Sequence, residues 1–171
     1  VRLAGGIDFN QQWQADARLL RAEGKNEFDG GWANENENVQ QVAGAHVRYA
    51  PSETFALHLN AGRNDDDSRS IVGSTGMQSG RITTQRDTAS LQADIGGDTN
   101  LLSVGFEWQR DEVEGTTVFD VDRRISRALF GQWRMQSGNQ HFQTGLRRED
   151  NSQFGGATTG NAAWGWDFTE A

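Results

Sequence analysis

The chain has 171 residues, 24 acidic against 16 basic side chains (net −8), no cysteine, one proline, 21 glycines and six tryptophans. No basic run marks a nucleic-acid surface, so no nucleic-acid partner is expected, and the absence of cysteine removes disulfides and thiolate metal sites. Mean hydropathy is −0.75 and no segment approaches the ~18 apolar residues of a membrane helix, yet six tryptophans and nine phenylalanines are more than a disordered chain carries.

Apolar residues alternate with polar ones almost throughout, which predicts strands with one apolar and one polar face. Over 1–9, Val1, Leu3, Ile7 and Phe9 share one parity. Trp13, Ala15, Ala17 and Leu19 do so over 12–23, and Ala43, Ala45, Val47 and Tyr49 over 38–50. The pattern continues over 54–65 (Phe55, Leu57, Leu59, Ala61), 83–96 (Ala89, Leu91, Ala93, Ile95) and 99–112 (Leu102, Val104, Phe106, Trp108). It closes with 122–136, where Arg127 breaks the apolar parity, then 140–150 and 159–169. Short connections at about 10–12, 51–53, 97–98 and 137–139 alternate with long ones at 24–37, 66–82, 113–121 and 151–158.

Aromatic side chains flank the short turns. Phe9 and Trp13, Tyr49 and Phe55, Trp133 and Phe142, with Phe168 near the end, all fall on the apolar parity. Such a row suits rings settling at a lipid headgroup level. The fold class expected is all-β: a portion of an antiparallel transmembrane β-barrel of about nine strands, with short periplasmic turns, long extracellular loops and outer-membrane lipid on its apolar face. The alternative is a soluble β-sandwich or small barrel used as a binding module. An odd strand count would demand a parallel seam on closure, so the chain is expected to be a piece of a larger barrel.

The segments "LLSVGFEWQRDEVEG", "RRISRALFGQW", "HFQTGLRREDNSQFG" and "AAWGWDFTEA" resemble the barrel of TonB-dependent outer-membrane receptors, most closely the vitamin B12 (cobalamin) transporter branch. Glu149 stands where the family's Arg-x-Asp has Asp. The match is firm from about residue 101 and rests on layout before that. The resemblance implies that 1–171 is part of a single outer-membrane barrel domain of about 22 strands, its plug domain and remaining strands lying outside this sequence. It implies active uptake of a scarce, corrinoid-type nutrient across the outer membrane of a Gram-negative bacterium, driven by TonB acting on the plug. A passive porin segment remains the competing transport reading.

No nucleophile elbow or Ser/His/Asp order appears, so no enzymatic activity is expected. On the polar parity, Arg147 and Glu149 are i, i+2 neighbours, candidates for ligand contact in the lumen or for simple ion pairing. His46, His58 and His141 share that parity. They are read either as a metal or acid–base site or as ordinary residues of a wet wall. Asp65, Asp66 and Asp67, and Glu27 and Asp29 with Glu23 and Glu35 in the first long loop, offer clustered oxygens for calcium. A solvated acidic loop is the favoured reading of the same residues. No other cofactor is expected.

Overall fold

The computed structural model describes residues 1–30 and 32–168. These form nine strands: β1 (Arg2–Asp8), β2 (Trp13–Glu27), β3 (Glu35–Ser52), β4 (Phe55–Val72), β5 (Met77–Gly97), β6 (Asn100–Gly115), β7 (Arg123–Ser137), β8 (Gln140–Asn151) and β9 (Gly155–Trp166). Each pairs antiparallel with the next in a single sheet, in sequence order, with β1 and β9 as its two edges. The all-β, nine-stranded antiparallel expectation holds, and the sheet is open rather than closed into a barrel. No helix is long and apolar enough to cross a membrane, which leaves strand-built crossings untouched.

The short turns fall near where the sequence places them. At the first, Asn10 Oδ1 accepts hydrogen bonds from the backbone N–H of Gln12 (2.8 Å) and Trp13 (3.0 Å), the side-chain mimicry of a turn that favours Asn there. The long loops need correction. Residues 66–72 and 77–82 belong to β4 and β5, leaving only 73–76 as their turn. Likewise 151–158 shrinks to 152–154, and the remaining two contract to 28–34 and 116–122. The physical reason is pairing between polar side chains. Above the apolar stretch both faces of a strand are polar, so the period-two signal vanishes, while cross-strand ion pairs keep the ladder intact. Asp67 on β4 accepts from Arg81 on β5 at 2.9 Å, and Lys25 on β2 meets Glu35 on β3 at 2.6 Å.

Expected turn chemistry at the top of β8 is present. Asn151 Oδ1 accepts from the N–H of Gln153 (3.0 Å) and Phe154 (3.2 Å), Ser152 Oγ accepts from the Ile125 N–H (2.9 Å), and Gly155 takes φ of +77°, a conformation favouring glycine. Phe154 turns toward Arg124, whose guanidinium carbon lies 5.8 Å from the ring centroid.

The sheet has no interior. Ala128, at 3% exposure, is the one buried hydrophobic residue among the described residues. Leu59, Leu91, Phe106, Leu129, Leu146 and Trp164 are all exposed on the same face. A single layer leaves its apolar face unburied, and stable sheets cover that face with another layer or with an apolar solvent.

Candidate functional site

Register divides the sheet into two chemically distinct faces. One line of partners runs from Trp13 on β2 through Tyr49, Leu57, Ala93, Val104, Gly131 and Leu146 to Gly160 on β9. On β2 this line is the lower limit of the apolar residues, taking the 9–12 turn as the lower end. On β9, Trp164 and Trp166 lie below it. The upper limit also falls from β2 to β8, with β4 and β6 at one height and β3 reaching highest, to Glu37. The first charged residue on this face is Arg21 on β2, Arg63 on β4, Arg110 on β6 and Arg148 on β8, and each precedes an acid two residues higher: Glu23, Asp65, Glu112 and Asp150.

Measured from the Trp13 line, the upper limit drops by about six residues between β2 and β8. With a rise of ~3.3 Å per residue and strands ~4.8 Å apart, the strands lean roughly 35° from the normal of the apolar band. On β4 the stretch from Phe55 to Arg63 is ~26 Å along the strand and so ~22 Å in height. The aromatics expected at one height follow this slope. Trp13 stacks on Tyr49 with centroids 4.3 Å apart. Phe55 and Trp133 lie one same-face step lower, and Phe142 lies lower still beside Trp164. Phe168 is exposed beyond β9. Phe9 caps β1, its N–H bonded to the Trp13 carbonyl. The alternation did not single out the edge-to-face pair Trp164–Trp166 as part of this row.

The opposite face is polar. Here the structure brings Arg147 and Glu149 together and adds Glu107 and Ser126, which the sequence reading missed. Arg147 Nη1 donates to Glu107 Oε2 at 2.5 Å, reaching from β8 across β7. Its Nη2 donates to Glu149 Oε2 at 3.2 Å, and Ser126 Oγ donates to Glu149 Oε1 at 2.8 Å. The crossing is possible because Ala128, small and buried, lies in register between Glu107 and Glu149. Beside it, the Phe130 ring lies over Gly105, where a β-carbon would meet its Cζ at 2.5 Å. A concavity of about 540 Å³ opens here, lined by Asn60, Ser90, Glu107, Arg124, Arg147 and Phe154 among others. With the guanidinium shared by two carboxylates, the site favours donor groups such as hydroxyls and amides over anions.

The calcium candidates do not converge. Asp65 and Asp67 face the apolar side above the band, Asp66 the other. Asp65 pairs with Arg63 at 2.9 Å, Asp66 accepts from Gln40 at 2.8 Å, and Asp67 is held by Arg81 and Arg69. Glu27 ends β2 opposite Glu35, Asp29 lies in the exposed loop beyond, and Glu23 pairs with Arg21 at 2.6 Å. Among the described residues, no group of three or more His, Cys, Asp or Glu side chains is arranged to hold a metal. Of the histidines, His46 and His58 meet on adjacent strands, with Nε2 and Nδ1 3.3 Å apart. His141 stands apart, its Nε2 2.7 Å from Asp167.

No protein-family model matches the chain, and no curated protein matches it.

Proposed function

We propose that this chain is a stretch of the wall of an outer-membrane β-barrel, with lipid against the apolar face and the polar face turned to the lumen. The observation that carries this reading is the sloping apolar band. Its height of ~22 Å and lean of roughly 35° fall close to the ~25 Å band and ~35–45° tilt of transmembrane barrels. A soluble sandwich has no reason to bound its core by a line of Arg-x-acid steps on alternate strands that lies lower on β8 than on β2. Unpaired edges are costly in lipid, so further strands against β1 and β9 belong to the same proposal.

The resemblance in 101–171 extends the reading to a TonB-dependent receptor for active uptake of a corrinoid-type nutrient, with the Arg147–Glu107–Glu149 group near the ligand path or the plug. The protein itself would then do no covalent chemistry. Cells producing the protein that carries this chain should accumulate cyanocobalamin only when TonB is functional. Accumulation of small solutes without TonB would favour the porin reading, for which the charged lumen group would be a filter.

A further inference from the structure

On the lower half of the polar face, four side chains from four successive strands form an unbroken line. Asp16 Oδ2 on β2 lies 3.0 Å from His46 Nδ1 on β3. His46 Nε2 lies 3.3 Å from His58 Nδ1 on β4, and His58 Nε2 lies 3.4 Å from Asp94 Oδ2 on β5. The rings are within 8° of parallel with centroids 5.6 Å apart, which with the N···N distance describes rings meeting edge to edge.

An ionised carboxylate only accepts hydrogen bonds. Asp16 therefore assigns the proton of a neutral His46 to Nδ1; Asp94 lies within ion-pair reach of His58 Nε2, while the hydrogen-bond contact of the His58 ring runs to His46. His46 Nε2 then offers a lone pair to His58 Nδ1 at 3.3 Å, and the place between them takes either the His58 proton or a cation that displaces it. Carboxylates behind both imidazoles are the outer partners that metal-ligating histidines characteristically have.

We propose that His46 and His58 together bind one divalent transition-metal ion of the imidazole-preferring class (zinc, copper or nickel), with water completing its shell. At metal–nitrogen distances of ~2.05 Å, a 3.3 Å separation corresponds to an N–metal–N angle of roughly 107°, close to tetrahedral. The rings meet head-on, so each must turn by roughly 35° to bring its lone pair to a common apex at that angle, and both are partly exposed. The groups facing the pair are Arg48, opposite His58, and Asn60, opposite His46, with Gln14, Arg18 and Asp8 toward the β1 side and Gln92 and Ser103 toward β6. Arg18 pairs with Asp16 at 3.3 Å, and Ser103 donates to Asp94 at 2.6 Å. Three carboxylates, Asp8, Asp16 and Asp94, thus face two guanidinium groups, Arg18 and Arg48. Nitrogen donors exclude calcium and magnesium as the preferred occupants. The inference requires only that this face be wet, and does not rest on lipid covering the other.

The test uses copper(II), the tightest binder of the divalent series, with the folded protein that carries this chain, near neutral pH in a non-chelating buffer. The expected result is one ion per chain at micromolar copper, with an electron paramagnetic resonance spectrum showing two imidazole nitrogens. His46→Gln or His58→Gln should weaken binding at least about tenfold, and Asp16→Asn or Asp94→Asn about 10–100-fold. His141→Gln should leave it unchanged. The proposal is overturned if the wild-type spectrum lacks two nitrogens, or if the double His→Gln variant binds equally well. An ¹⁵N spectrum showing a proton shared between the rings, with no uptake of copper, also overturns it. The wild-type spectrum decides the matter even if a variant fails to fold.

Discussion

Replacing Leu91 by arginine separates a lipid-facing sheet from a wet one. Leu91 lies on β5 between Ala89 and Ala93 on its own face, in register with Leu59 and Phe106, and is 50% exposed. The lower limit of the band on β5 is Ile95 and the first charge above is Asp87. Leu91 is midway, ~13 Å along the strand from each and so ~11 Å in depth from either boundary. An arginine near the midplane of a bilayer costs ~2–4 kcal/mol, which at ~1.4 kcal/mol per decade is roughly 30- to 700-fold in the folding equilibrium. Gln92, the next residue, faces the other way in line with His58 and Gly105 and donates to Asp94 at 2.8 Å, so Gln92→Arg forfeits at most that hydrogen bond and should cost no more than ~0.5–1.5 kcal/mol. The assay is reversible guanidinium unfolding of the protein in lipid vesicles. If the two variants are equally stable there, the assignment of faces is wrong.

Three other expectations follow from specific contacts. Gly105→Ala pushes against both the Phe130 ring and the Leu91 carbonyl and should cost ~1–3 kcal/mol; Phe130→Leu in the same chain should recover only the part due to the ring, measured by the same unfolding curves. Arg147→Gln removes the cation shared by Glu107 and Glu149. Because all three side chains are more than a third exposed, the loss should be only ~0.5–1.5 kcal/mol. A double-mutant cycle with Glu107→Gln checks it: strict additivity contradicts the pairing. Asp67, above the apolar band, has its carboxyl lowered to about 2 by hydrogen bonds first from Arg81 and then from Arg69. Its contribution is therefore present above the ordinary carboxylate range near pH ~4 and is lost as pH falls toward 2. Carboxyl ¹³C titration should show Asp67 rising toward that range in Arg81→Gln; an unmoved titration refutes the pairing.

The apolar part of every strand was legible because alternation survives wherever one face is apolar. Leu57 and Leu59 announce β4, and Leu91, Ala93 and Ile95 announce β5. The upper extensions were not, since Asp65, Asp67 and Arg69 on one face and Asp66, Ser68 and Ser70 on the other are all polar. A loop and a doubly wetted strand look alike until Arg81 is seen opposite Arg69 and bonded to Asp67. Arg147 and Glu149 were visible as i, i+2 neighbours, whereas Glu107 lies 40 residues away in sequence and enters only through the register of β6, β7 and β8. The His46–His58 meeting likewise depends on how the 53–54 turn sets the β3–β4 register; polarity alone put both residues on the right face without pairing them.

The central claim is that the apolar face meets lipid and the polar face meets water. With no native cysteine in the chain, single cysteines at 89 to 95 along β5 can each carry a nitroxide label in the bilayer-reconstituted protein. Collision rates with oxygen, which concentrates in hydrocarbon, and with a water-soluble nickel chelate should both alternate with period two and out of phase. Oxygen should peak at 89, 91, 93 and 95, and nickel at 90, 92 and 94. The account is contradicted if the two profiles rise and fall together, or if the odd positions are sheltered from both reagents, as they would be beneath a second protein layer.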